Sequence, residues 1–245
     1  MQALIHIQNA DIGYTKADGT HTVLRQLNAE LYASELIGVV GVNGSGKSSL
    51  LKSMAGLMPV LSGNIVMDGQ ALNGMNEERL AKKLSLVLTE KFGGFNLRVK
   101  DVVESGLMPH TNAFHRLYEK EHAVVDAAIT QCGLDAYKHT PVEELSDGYF
   151  QRMVIAKALA QQTPVMLLDE PAAFLDYAGK HELMRMLKHL CDTQQKCVLI
   201  TSHDLDILLK YCHRILILHA QEASLVPCAE ALTHPAFRQM TGGYL

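Results

Sequence analysis

The spacing of apolar and polar positions changes period several times along the chain, and each change marks an element. Leu36-Ile37-Gly38-Val39-Val40 is an unbroken apolar run that ends in a glycine-rich turn. Such a run reads as a strand buried on both faces of a parallel sheet, and a helix is expected after it over residues 47–57. Residues 4–14, together with Ile65-Val66-Met67 between Gly63 and Gly69, predict a small antiparallel β layer beside the main sheet. Residues 84–88 form another short apolar run and predict a further strand.

From about residue 93 to 161 the strand signal fades. Apolar positions there recur at helical spacing, as in Val124, Ala127 and Ala128, and again in Met153, Ala156 and Leu159. Alternation then resumes: a strand over 165–168, a helix over 178–190 with Leu183, Leu187 and Leu190 on one face, and strands over 198–201 and 215–218. Strands alternating with helices imply a parallel sheet with covering helices. The expected organisation is one domain over 1–245. Its α/β core with the β layer occupies 1–92 and 162–222, a helical subdomain is inserted at 93–161, and 223–245 is a C-terminal tail. The last residues, from Glu222 on, have little periodicity and suggest no function. No internal repeat or low-complexity segment is present.

Composition narrows the class. With 245 residues, 48% hydrophobic and 20% charged, the chain is long enough for a substantial core. A net charge of -4 argues against a broad phosphate-binding surface, so no nucleic acid is expected as a partner. The five cysteines, Cys132, Cys191, Cys197, Cys212 and Cys228, include no C-x-x-C pair, which points away from a zinc site or disulfide framework and fits a reducing cytoplasm. No stretch approaches the roughly 20 apolar residues of a membrane span, so any membrane role would be borrowed from a partner.

Gly41-Val42-Asn43-Gly44-Ser45-Gly46-Lys47-Ser48 fits G-x-x-x-x-G-K-[ST], between a predicted strand and a predicted helix. Glycines let the backbone wrap a phosphate, the helix start favours anions, Lys47 neutralises charge, and Ser48 can ligate magnesium. Asn43 is expected near a terminal phosphate, and Ser49 continues the site. A glycine turn followed by an exposed lysine is the plain alternative, and the flanking strand and helix disfavour it. Val165-Met166-Leu167-Leu168-Asp169-Glu170 is an apolar strand ending in two carboxylates. Asp169 is expected to hold magnesium and Glu170 to polarise an attacking water; without the phosphate loop, a solvated acidic turn would explain the pair equally well.

Leu145-Ser146-Asp147-Gly148-Tyr149-Phe150-Gln151-Arg152 resembles the L-S-G-G-Q-x-Q-R signature of ATP-binding-cassette proteins. The order of elements is also similar to that family: phosphate loop, signature, Asp169-Glu170, then Ala173-Phe174-Leu175-Asp176, then Ser202-His203-Asp204. The resemblance implies a P-loop NTPase (RecA-like) core, ATP and Mg2+ as ligands, and a head-to-tail dimer in which the signature of one copy closes over ATP held by the other. It further implies that Leu145, Ser146, Asp147, Gly148 and Tyr149 face the partner's ATP, that Asp176 belongs to the D-loop, that His203 orients Glu170, and that Tyr14 stacks on adenine. Glu90 stands where glutamine is usual and would contact magnesium and the attacking water. Asp147 and Tyr149 replace glycine and glutamine in the signature, and Ala172 replaces a common threonine.

Gly106-Leu107-Met108-Pro109-His110-Thr111, with Leu88-Thr89-Glu90 before it, resembles ATPases of importers for iron-siderophore, haem or cobalamin. That likeness implies an integral-membrane permease dimer as partner, an extracytoplasmic binding protein acting through it, and a place on the inner face of the cell membrane. A soluble cassette mechanoenzyme acting on nucleic acid or ribosomes is the alternative. The single cassette and the lack of sustained heptads weigh against it. A nucleoside kinase would leave the signature and His203 unexplained.

Overall fold

A computed structural model describes residues 2–17, 19–88, 97–111 and 119–242. The chain opens with β1 (Ile5–Lys16) and β2 (Gly19–Leu31), followed by β3 (Leu36–Gly41), α1 (Lys47–Met54), β4 (Val60–Met67) and the short β5 (Gln70–Ala71). Next come α2 (Glu77–Ala81), β6 (Leu84–Val87), α3 (Val99–Glu104), α4 (Glu119–Gln131) and α5 (Asp147–Ala160). The last part carries β7 (Val165–Leu168), α6 (Tyr177–Gln194), β8 (Cys197–Thr201), α7 (Leu205–Tyr211), β9 (Arg214–His219), β10 (Glu222–Pro227), α8 (Cys228–Ala231) and α9 (Pro235–Thr241).

Two sheets result. An antiparallel sheet has the order β2-β1-β4-β5, and a six-stranded sheet has the order β10-β9-β3-β8-β7-β6. Strands β9, β3, β8, β7 and β6 run parallel, and only β10 joins antiparallel. The expected α/β architecture with an accompanying antiparallel layer is therefore present. Among the described residues between β6 and β7 there are helices and one isolated bridge, Arg98 to Pro141, and no strand.

The parallel strands are apolar throughout because each face has its own core. Leu36, Val40, Met166, Leu168, Val198 and Ile200 face the helical side, whereas Ile37, Val39, Val165, Leu167 and Leu199 face the antiparallel sheet and α1. Period-2 alternation then sends successive residues into different cores, and the buried polar side chains on β6 and β8, Ser85 and Thr201, are hydrogen-bonded.

Three features depart from the sequence expectation. Strand β2 is a full partner of β1, yet its buried Leu24, Leu27, Ala29 and Leu31 break strict alternation. Gln26 sits at φ 46 beside this irregularity and donates its N–H to Asp11 Oδ1 at 2.8 Å, the mark of a bulge that inserts one residue. Helix α1 stops at Met54, earlier than expected: Gly56 turns left-handed at φ 71, and the Leu57 N–H reaches Lys52 O while the Gly56 N–H reaches Ser53 O. The tail is structured, with β10 paired to β9 and α9 burying Phe237 in the main core.

Candidate active site

The site lies at the carboxyl ends of three adjacent strands, β3, β8 and β7, where open α/β sheets place their ligands. β3 delivers the loop 41–46, β7 delivers Asp169 and Glu170, and β8 delivers Thr201 and then His203. Their side chains converge on a cavity of about 360 Å³ lined by Tyr14, Val23, residues 43–49, Asp169, Glu170 and His203.

Glycine is required in the loop for two reasons. Gly44 and Gly46 take φ 79 and 99, which other residues resist, and Gly46 is the residue from which α1 starts. Gly41 needs the space: a Cβ there would lie 2.3 Å from Ser45 Oγ and 2.8 Å from Leu218 O. Lys47 folds back over the loop, its Nζ donating to Gly41 O at 2.8 Å and more loosely to Val42 O at 3.4 Å. Burial pushes the Lys47 ammonium below its ordinary pKa, and the carboxylates of Glu170 and Asp169 pull it back up. A helix start beside a buried cation is the chemistry of an anion site.

Asp169 and Glu170 are joined through one hydroxyl. Thr201 Oγ1 donates to Asp169 Oδ1 at 2.7 Å and accepts the Glu170 N–H at 2.8 Å. Glu170 itself takes φ 49, a conformation that costs a residue with a side chain about 1–3 kcal/mol. Its Oε1 lies 3.2 Å from His203 Nε2. Burial raises the Glu170 pKa; His203 and Lys47 oppose the rise and Asp169 adds to it. A half-buried carboxylate beside a histidine, at the mouth of a glycine-rich loop, has the chemistry to take a proton from water.

The signature segment lies elsewhere. Ser146 is the N-cap of α5, its Oγ accepting the Tyr149 N–H at 3.4 Å, and Asp147 is the first helical residue. There the Asp147 carboxylate complements the helix dipole. Tyr149 packs on Tyr137 with ring centroids 4.0 Å apart. None of Leu145, Ser146, Asp147, Gly148 or Tyr149 is among the residues lining the cavity above. Asp176 caps α6 by accepting the Gly179 N–H at 2.7 Å. Tyr14 lines the cavity while stacked on His21 at 5.5 Å, with Lys16 Nζ 4.9 Å from its ring centroid. Glu90 lies outside the described residues.

Two site residues escaped sequence reading. Val23 lies on the irregular strand β2, and Thr201 reads as the last residue of an apolar strand; its one signal is a hydroxyl just before Ser202-His203. The cysteines are free, and burial pushes Cys132 and Cys191 up to about 12, so both stay protonated thiols.

Fold and site together define a nucleotide-hydrolysing P-loop protein. A model of the ABC transporter family matches residues 24–173. The chain is 34% identical over 221 residues to the petrobactin import ATP-binding protein FpuC of Bacillus anthracis, covering 89% of this chain and 81% of that one. It is 32% identical over 207 residues to the iron(3+)-hydroxamate import ATP-binding protein FhuC of Bacillus subtilis strain 168, covering 84% and 76%. Among solved structures, cbiO1 from Clostridium perfringens, part of the ABC transporter complex cbiONQ, aligns with a TM-score of 0.81 at 25% identity, covering 100% of this chain and 96% of that one. The chain belongs to the ABC transporter family as an ATP-binding, ATP-hydrolysing member.

Proposed function

We propose that this chain powers an importer of iron-siderophore, haem or cobalamin-type cargo by hydrolysing ATP as a head-to-tail dimer on an integral-membrane permease dimer. The observation that carries the catalytic half of this reading is the contact between His203 Nε2 and Glu170 Oε1, 3.2 Å apart, in the cavity lined by the phosphate loop. The import half is supported by the relatives, whose names specify petrobactin and iron(3+)-hydroxamate import. Among the described residues no helix is long and apolar enough to cross a membrane.

In this reading the N–H groups of residues 41–48 and the Lys47 ammonium hold the ATP phosphates, with Asn43 and Ser49 completing the rim. Tyr14 stacks on the adenine. Magnesium fits the all-oxygen donors Ser48 and Asp169, with Glu90 as a further carboxylate, and would supply charge neutralisation on the phosphate oxygens. Glu170 takes the proton of the attacking water, and its raised pKa brings it nearer the working pH of a general base. His203 orients that carboxylate. Because residues 145–149 do not line their own chain's cavity, they are available to a second copy, where the start of α5 offers N–H groups to the terminal phosphate. ATP closes the pair, and hydrolysis with product release reopens it and switches the permease. An extracytoplasmic binding protein brings the cargo, which never touches this chain, and the subunit sits peripherally on the inner face of the membrane.

The test is to purify the Glu170→Gln chain from native membranes with ATP and identify what accompanies it. Recovery of a polytopic permease supports import; recovery of ribosomes or nucleic acid with no permease contradicts it.

A further inference from the structure

Two ionic side chains next to the site forgo the roles their helices would reward. Lys180 lies in the first turns of α6, where a cation opposes the helix dipole. Asp204 occupies the N-cap position of α7, yet its side chain makes no capping bond. They pair with each other instead: Lys180 Nζ donates to Asp204 Oδ2 at 2.6 Å. Immediately beyond, His181 Nδ1 lies 2.9 Å from the Tyr211 hydroxyl, a second tie between α6 and α7. Asp204 is the neighbour of His203, and Lys180, His203 and Asp204 line one shared recess. The Asp204 N–H is also fixed, on Ser202 Oγ at 3.1 Å.

We infer that Lys180 is a positioning residue for hydrolysis: by holding Asp204 it fixes the short link 202–204 between β8 and α7, and so keeps the His203 ring against Glu170. The inference rests on the role proposed above for His203. Lys180 follows Asp176 by one helical turn on α6, so the D-loop and the histidine are tied to one rigid segment. A shift of the D-loop on pairing with a second copy is thereby transmitted to the Glu170–His203 contact. The pair is partly exposed, its side chains 22% and 44% accessible, so it adds little to stability. Its effect is on geometry, where displacement of a catalytic group by a fraction of an ångström to an ångström costs rate steeply.

The experiment measures steady-state ATP hydrolysis and thermal stability for Lys180→Met, Lys180→Arg, Asp204→Asn, the double variant Lys180→Met with Asp204→Asn, and His203→Ala. A positioning role predicts that Lys180→Met lowers kcat about tenfold with KM for ATP changed by less than about twofold. Lys180→Arg restores most of the rate, and the double variant is no slower than the worse single one. Unchanged kcat in Lys180→Met overturns the inference, as does a loss that follows melting temperature and is not restored by arginine. His203→Ala separates the two levels: if it retains full turnover the role of His203 fails, whereas an inactive His203→Ala beside a fully active Lys180→Met removes only the role of Lys180.

Discussion

Thr201 Oγ1 lies 2.7 Å from Asp169 Oδ1 and donates its proton there, while its lone pair receives the Glu170 N–H. A single buried hydroxyl thus holds the Asp169 carboxylate and the Glu170 backbone N–H together, where Glu170 takes its left-handed backbone conformation.

Thr201→Val keeps the shape and removes the bridge, leaving a polar group on each side without a partner. The expected cost is about 1–3 kcal/mol in denaturant unfolding, with a larger proportional loss in ATP turnover than in ATP affinity. A variant equal to the parent in both stability and rate would show that the bridge is incidental.

The Glu170 carboxyl carries a pH signature. Its folded pKa is raised above the ordinary 4.5, mainly by burial. The stabilising contribution is therefore full below pH 4.5 and is lost as pH rises through the folded value. At neutral pH the ionised group opposes folding, so Glu170→Gln is expected to melt higher than the parent there, with the gap closing as pH falls. If Glu170 is the base proposed above it acts ionised, and the acid limb of kcat should lie above the usual glutamate range. Melting curves at several pH values check the first statement and a pH–rate profile the second.

Lys47→Met should fold, since the substitution relieves the burial that depresses the ammonium. It should weaken ATP binding by about 2–4 kcal/mol, roughly 30- to 1000-fold, through lost charge-assisted bonds. Titration calorimetry reads this directly, and near-parental affinity would remove Lys47 from the phosphate site.

Gly106 tests the packing that carries the signature helix. A Cβ there would lie 2.2 Å from Lys157 O and 3.3 Å from Ala160 Cβ on α5. Gly106→Ala must push the turn after α3 away from α5, at an expected cost of about 1–3 kcal/mol. Unaltered unfolding midpoints would mean that this contact yields without strain.

What sequence reading recovered follows from which residues carry their own signal. β3, β7 and β8 are legible because burial on both faces makes them continuous apolar runs, and the phosphate loop is legible because its glycines and lysine are contiguous. β2 is not, because the bulge at Gln26 interrupts its period, and Val23 on that strand carries no signal of its own. Thr201 is not legible because its contacts depend on β8 lying beside β7, a neighbour relation that no local pattern encodes. The tail hid for another reason: α9 is seven residues long, too short to establish a helical period, although its Phe237 is fully buried. The signature motif was legible as a motif, but only the structure separates Ser146, which caps α5, from Asp147, which begins it.

The central claim is that Glu170, beside His203 and Lys47, drives ATP hydrolysis. The most direct measurement is phosphate release by the purified parent and Glu170→Gln chains at saturating ATP and magnesium, with nucleotide binding measured on the same samples. The account predicts turnover by the parent and full ATP binding with turnover reduced at least about a hundredfold in the variant. Equal rates from the two chains would contradict it.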